Sequence, residues 1–377
     1  MSGAIIELVS KGVQDSYITG NPEVSFFRQK YKRHTNFAMK HSRITWQGAF
    51  TPGGEISFTI PRKGDLLNYV WIDTKYVPGA NAAGQPGFGP YNAGGSGCSF
   101  ELYIGGQLVD RLSAWYNSVG WPSYMANTPA KAWGLADGRA NNEEAMWPVQ
   151  AQVIPLHFTF FDGTPLPLVA LQYHEVEIRI RLNTDPGILT ALEPEIYAAY
   201  TVLDTDERRH FTENPIEMLI EQVQRVPMTL GDNINPAFDL SLLNHPVKCL
   251  ILGTEVITDP RAGVLFDSAQ VRLNGTTLYD NEMPNSFFEF VQPYYHGGHL
   301  GYLRLVDCTP RLYSFGLEPW AKFPTGSCNF SRLDTADLKI TNWDGTNGCV
   351  GSSVIIHAVN WNILRIESGM AGVAFAN

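Results

Sequence analysis

"ELYIGGQLVD", Glu101 to Asp110, and "VRLNGTTLYD", Val271 to Asp280, read alike. Each is a short strand, a Gly-Gly or Asn-Gly turn, a second strand and a closing Asp. Asn274-Gly275 is a strong two-residue hairpin signal, because both central positions need positive φ. Aligning Gly106 with Gly275 offsets the hairpins by 169 residues, just under half of the 377-residue chain. One Asn-Gly hairpin says little, but two at the same relative depth of two halves read as an internal repeat.

The surrounding segments carry the same period. "GEISFTIPRKGDLL" alternates through Ile56, Phe58 and Ile60. "HEVEIRIRL" puts Val176, Ile178, Ile180 and Leu182 on one face and Glu175, Glu177, Arg179 and Arg181 on the other. Such alternation suits an antiparallel sheet with one wet face. Helical periodicity is scarce, and Gly, Pro, Asn and Asp separate the runs, which is the sandwich or barrel pattern. Two longer excursions interrupt it: the Pro/Gly-rich residues 77–97, and residues 115–138 with Trp115, Trp121, Trp133 and room for short helices. The mixed-charge run Asp204, Asp206, Glu207, Arg208 and Arg209, followed by Asn214-Pro215, reads as a linker before "IEMLIEQVQ" opens the next unit. Two β-sandwich units of about 180 residues each follow.

Composition agrees with a large core and argues against several functions. Hydrophobic residues make up 44% of the chain and charged residues 17%, below the roughly 25% of an average globular protein. Low charge fits a surface covered in part by neighbours. Net charge is −10 and the pI about 5.4. The compact basic run is Arg28, Lys30, Lys32, Arg33 and His34, which is thin for a fold that neutralises phosphates. Cys98, Cys249, Cys308, Cys328 and Cys349 form neither a C-x-x-C pair nor a disulfide framework, so reduced, mostly buried thiols are expected. The N-terminus carries Glu7, Lys11 and Asp15 and shows no apolar signal core, and no window reaches 18 uninterrupted apolar residues.

Candidate chemistry is sparse. Asp204-Thr205-Asp206 fits a D-x-D metal chelate, yet the βαβ alternation of nucleotide-binding transferases is missing; charges solvated and paired with Arg208 and Arg209 are the plainer reading. His296-Gly-Gly-His299 offers two imidazoles without a third ligand or a G-x-S-x-G elbow, and reads as a loop. His157 and His174 sit in strand-like segments, but singly, where a cupin-type site needs paired motifs. Asn274 and Asn329 head N-x-S/T triplets and read first as turn residues. No catalytic residue, metal ligand or cofactor is assigned.

The remaining stretch runs from Asp15 to Phe37. Gly20-Asn21-Pro22 is a turn, and Phe26, Phe27, Tyr31 and Phe37 are apolar anchors among the cations. A basic-aromatic mix suits single-strand binding; it equally suits an arm that docks on neighbours. Here "QDSYITGNPEVSFF" (14–27) and "YKRHTNFA" (31–38) closely resemble the N-terminal pattern of major capsid proteins of nucleocytoplasmic large DNA viruses. "DTDERR" (204–209) leading to "LIEQVQ" (219–224) resembles that family's domain junction, "PTGSCNFSR" (324–332) its P-[ST]-G-x-x-N-F-S-R segment, and "AVNWNILRIESGMAG" (358–372) its final strand and tail. The ordered match is nearly end to end.

The resemblance implies an all-β double jelly roll: two tandem eight-stranded antiparallel β-sandwiches, with short helices in loops. Expected boundaries are an assembly arm at 1–25, a first roll at 26–203, a linker at 204–215 and a second roll at 216–377. It further implies a structural, non-enzymatic protein, made late in the host cytoplasm, that forms a homotrimer. Six rolls then make a pseudo-hexagonal capsomer that meets neighbouring capsomers in an icosahedral virion shell. Tyr17, Gly20, Asn21, Pro22, Phe26, Phe27, Arg28, Tyr31 and Arg33 become the assembly arm, facing minor capsid proteins and the internal viral membrane, with no sequence-specific nucleic-acid contact. Asp204 to Arg209 become a domain or subunit contact. Many family members are longer, with loops crowning the tower, so this chain either has short crown loops or is a vertex or minor version of the tile; the full pattern at both ends favours the main tile. The alternative from another class is a carbohydrate-binding or modifying β-sandwich, whose aromatic platform would be Trp115, Trp121 and Trp133.

Overall fold

A computed structural model of the chain describes residues 12–29, 31–75, 88, 97–128, 153–161, 163–184, 193–229, 235–254, 266–279, 281–297, 310–342 and 353–375. The contacts separate a short unit, residues 1–36, from a large one, residues 37–377.

The large unit repeats one strand order twice. Its first half holds β1 (Phe37–Ile44), β2 (Glu55–Thr59), β3 (Leu66–Asp73), β4 (Ser99–Ile104), β5 (Gln107–Ser113), β6 (Val153–Pro155), β7 (Val176–Arg181) and β8 (Glu195–Leu203). Its second half holds β9 (Ile216–Thr229), β10 (Ala237–Asp239), β11 (Pro246–Thr254), β12 (Ser268–Leu273), β13 (Thr276–Thr277), β14 (Arg311–Ser314), β15 (Ala336–Thr341) and β16 (Ser353–Glu367). The first half pairs as β1-β8-β3-β6 and β2-β7-β4-β5; the second pairs as β9-β16-β11-β14 and β10-β15-β12-β13. Every described pairing is antiparallel. Adding eight to a strand number converts one half into the other, so the two halves are jelly rolls of one design.

The alternating segments behave as their period demands. Ile56 and Phe58 of β2 and Val176, Ile178 and Ile180 of β7 are buried, while their charged neighbours pair above the sheet, as Arg179 does with Glu177 at 2.9 Å. The repeated hairpins join β4 to β5 and β12 to β13. Gly105 (φ +58°) and Gly106 (+81°), like Asn274 (+49°) and Gly275 (+74°), hold both turn positions left-handed.

A second repeated element follows each hairpin: the short helices expected within residues 115–138 recur in the second roll. In the first roll a π-helical turn, Tyr116–Gly120, leads into α2 (Trp121–Tyr124), α1 being the Ser16–Thr19 turn of the short unit. In the second roll the turn Phe287–Val291 leads into a helix Gln292–His296, called α4. Pro122 and Pro293 fall at matching positions, where each π-turn passes into its helix.

Between the rolls, the segment expected as a linker, residues 204–215, carries the short helix α3 (Thr205–Glu213). Asp204 caps it, its carboxylate accepting the Thr205 N–H at 2.7 Å, and Asp206 and Glu207 lie in the first turn against the positive end of the helix dipole. No residue of α3 is buried, so the helix shows no apolar stripe to read.

Candidate assembly surfaces

The buried seam between the two rolls is built from β11. Val247, Leu250 and Leu252 point into the second roll's core, whereas Cys249 and Ile251 join Leu312 and Val359 in the apolar cluster of the first. "KCLILG" is thus a strand buried on both faces, which is why it reads as a continuous apolar run. The element after β5 lies on it. Trp115 stacks on His357 with centroids 5.1 Å apart, Tyr116 packs at 5.5 Å from the same ring, and the Tyr124 hydroxyl donates to the Pro310 carbonyl. Gly253 permits this approach: a Cβ there would stand 2.0 Å from Trp115 Cζ2.

Polar groups close the seam. Ser113 Oγ accepts the Tyr116 N–H and lies 3.0 Å from His357 Nε2. Burial pushes the His357 imidazole down to about 3, so it stays neutral in the stack. Asp110 accepts N–H groups from Val223 (3.0 Å) and Arg111 (2.9 Å), yet its burial raises the carboxyl to about 7. Lys248, 2% exposed, reaches Glu221 at 2.7 Å and sits 4.7 Å from the Trp361 ring centroid, while Lys322 approaches the other Glu221 oxygen at 3.3 Å. Burial alone would raise Glu221; Lys248 and Lys322 outweigh it and hold that carboxyl below its usual range.

The sequence-predicted residues fall in several places. In the short unit, Asp15 opens α1, and Gly20 ends it where a Cβ would meet the Ser16 carbonyl oxygen at 2.4 Å. Asn21 is left-handed (φ +46°) and precedes Pro22. Tyr17, Phe26, Phe27, Arg28, Tyr31 and Arg33 are all exposed, Phe27 to 98%; Lys30 lies outside the described residues. Arg208 pairs not with its neighbours Asp204 and Asp206, as expected, but with Asp65 at 3.0 Å, because the helix turns it toward the carboxylate that also accepts the Leu203 N–H. Arg209 faces Glu213 at 3.9 Å, one turn on.

The remaining candidates resolve as structural groups or lie outside the described residues. Asn274 Oδ1 accepts the Asp334 and Thr335 N–H groups, and Asn329 Oδ1 accepts that of Ser331, so both act as turn residues. His157 and His174 lie just outside strands, correcting their expected placement; His157 stacks on Trp121 at 3.7 Å and His174 Nδ1 is 3.0 Å from the Ala371 carbonyl oxygen. Trp115 and Trp121 are buried, which removes the platform a glycan reading needed. Cys98 and Cys249 are buried free thiols. Among the described residues no group of His, Cys, Asp and Glu is placed to hold a metal ion. Trp133, His299, Cys308, Cys349 and most of the 77–97 excursion lie outside the described residues.

Known proteins match the chain along its length. A family described as major capsid protein N-terminus matches residues 25–223, and one described as large eukaryotic DNA virus major capsid protein matches residues 207–372. The major capsid protein of Pyramimonas orientalis virus is 33% identical and that of Paramecium bursaria Chlorella virus 1 is 31% identical, each with all of both chains covered. Among solved structures, a quasi-atomic model of the PBCV-1 virus capsid covers 94% of this chain at TM-score 0.73 and 27% identity. The Faustovirus major capsid protein covers 95% at TM-score 0.63 and, at 12% identity, supports the fold alone. Two rolls of one strand order, joined through a shared apolar seam and matched from residue 25 to residue 372, place this chain in the major capsid protein family of large eukaryotic DNA viruses.

Proposed function

We propose that the chain is a structural shell protein that works as a homotrimer, its six rolls forming a pseudo-hexagonal tile. The observation that carries the reading is the repeat itself. Two rolls of the same strand order already bury a sheet face against each other within one chain, and three such chains supply six equivalent blades. Tiles of this kind pave an icosahedral virion by contacts between neighbouring capsomers. The catalytic content is nil: the work is surface complementarity, with an apolar centre and a charged rim.

The short unit is the assembly arm of this reading. Its exposed aromatics, interspersed with Arg28, Lys32 and Arg33, suit docking on minor capsid proteins at the base of the shell, beside the internal membrane. Electron microscopy of the purified protein tests the tile. Six-lobed particles with threefold symmetry are expected; single two-lobed particles at micromolar concentration would overturn the trimer.

A further inference from the structure

The register of the two large sheets gives a residue-by-residue correspondence between the rolls. Ile251 faces His357 across β11 and β16 as Trp71 faces Tyr197 across β3 and β8; Cys249 faces Val359 as Tyr69 faces Ala199. Both sheets carry their irregularity at one place, with Lys248 and Asn68 as the unmatched residues. Arg225, opposite His357, corresponds to Arg43, opposite Tyr197. Beyond Leu252 and Ile72, Pro310 corresponds to Val153.

The corresponding surfaces have opposite fates. In the second roll, Cys249, Ile251, His357 and Val359 are fully buried under the π-turn and α2 of the first roll. In the first roll, Trp71 and Tyr197 stack 4.4 Å apart, both half-buried, with Tyr69 and His41 exposed beside them. The docking elements differ in the same way. Tyr124 is 2% exposed and locked to Pro310, whereas its counterpart Tyr295 is 72% exposed, Tyr294 is 71% exposed, and Phe290 and Val291 stand half out.

We propose that the α4 element of one chain seats on the Trp71–Tyr197 face of a second copy, repeating between chains the lock that α2 makes within one. The occupant is a second copy of this chain because the face and the element that fits it belong to one repeat design. Tyr295 takes the place of Tyr124, its hydroxyl donating to the Val153 carbonyl of the neighbouring chain. The contact is heterologous, face to opposite face, so it does not stop at a dimer, and three copies close a ring when each contact turns the chain by a third of a revolution. This assignment rests on the trimer reading and names the surfaces that make it.

The test measures the trimer–monomer midpoint by sedimentation for the wild type, for Tyr294→Asp with Tyr295→Asp, for Trp71→Asp, and for all three together. Each exposed-site variant should weaken the trimer at least about tenfold, as central aromatic contacts do. The combination should add little, since both sides of one contact are already broken. Hydroxyl-radical footprinting of the wild type gives a check without substitutions: Tyr294, Tyr295, Trp71 and Tyr197 should be protected at high concentration and labelled on dilution. A stable wild-type trimer with unmoved midpoints and unprotected rings would overturn this contact and leave the trimer standing. A wild type that stays monomeric would overturn both.

Discussion

Trp115 of the first roll lies nearly parallel to His357 of the second, 15° from coplanar and 5.1 Å between centroids. The stack exists because residue 253 has no side chain. Gly253→Ala would drive a methyl group into the indole of Trp115, which is itself buried. We expect a loss of about 1–3 kcal/mol from overpacking, and about 3–5 kcal/mol for Trp115→Ala from the cavity it leaves. Urea unfolding monitored by circular dichroism reads both, with Gly106→Ala as a control for strain alone, since that turn position is open.

Lys248 and Glu221 are 27 residues apart in sequence and meet inside the seam. Lys248→Ala leaves a carboxylate stranded, a loss of about 3–5 kcal/mol for a broken buried pair, held toward the lower end by Lys322. Replacing both partners, Lys248→Met with Glu221→Leu, should recover most of that loss. A double variant as unstable as the single one would show that the pair itself, beyond charge cancellation, holds the seam.

Asp110 and His357 make opposite pH contributions in overlapping windows. The folded His357 is held at about 3 against an ordinary 6.5, so the unfolded chain takes its proton first and stability falls as pH drops from 6.5 toward 3. The folded Asp110 is raised to about 7 from 3.8, so the folded chain takes its proton first and stability rises as pH drops from 7 toward 4. Each effect has a ceiling of about 4–5 kcal/mol. The wild-type seam should therefore respond little between pH 4 and 6.5. Asp110→Asn should expose the acid sensitivity of His357, and His357→Asn should make the protein more stable at pH 5 than at pH 7. Melting temperatures across that range distinguish the three proteins.

Arg208 and Arg209 are adjacent but unequal. Arg208→Glu places like charge beside Asp65, whose other contact is the Leu203 N–H, and should cost about 1 kcal/mol for a partly exposed pair. Among the described residues Arg209 pairs with an exposed neighbour on its own helix, Glu213, and Arg209→Glu should be near neutral. Equal effects in thermal melts would contradict the assignment of Asp65 as the partner.

Removing residues 1–25 should leave both rolls folded, because the large unit begins at Phe37 with its own sheets and cores. Shell assembly with minor proteins should fail or slow. Loss of the β spectrum on truncation would place the arm in the fold itself.

The rolls were legible because period-2 alternation survives wherever one sheet face meets water, as in β2 and β7, and because Asn274-Gly275 marks its turn outright. The helical form of the linker was not legible: α3 carries a good cap at Asp204, yet with nothing buried it shows no 3.6-residue stripe. Short helices after β5 were legible in outline, but a π-turn has no simple period, and the recurrence after β13, with its shared proline, becomes visible only once the hairpins are aligned. The seam is the least legible part. Lys248, Glu221, Asp110 and His357 come from four strands, and their proximity follows from register, which a single sequence does not display.

The most direct test of the assembly account is the solution mass of the intact protein, measured by light scattering over a range of concentrations. The account predicts a species of three 41.9 kDa chains that dissociates only on dilution. A mass that stays at one chain, or that settles at two, would contradict it.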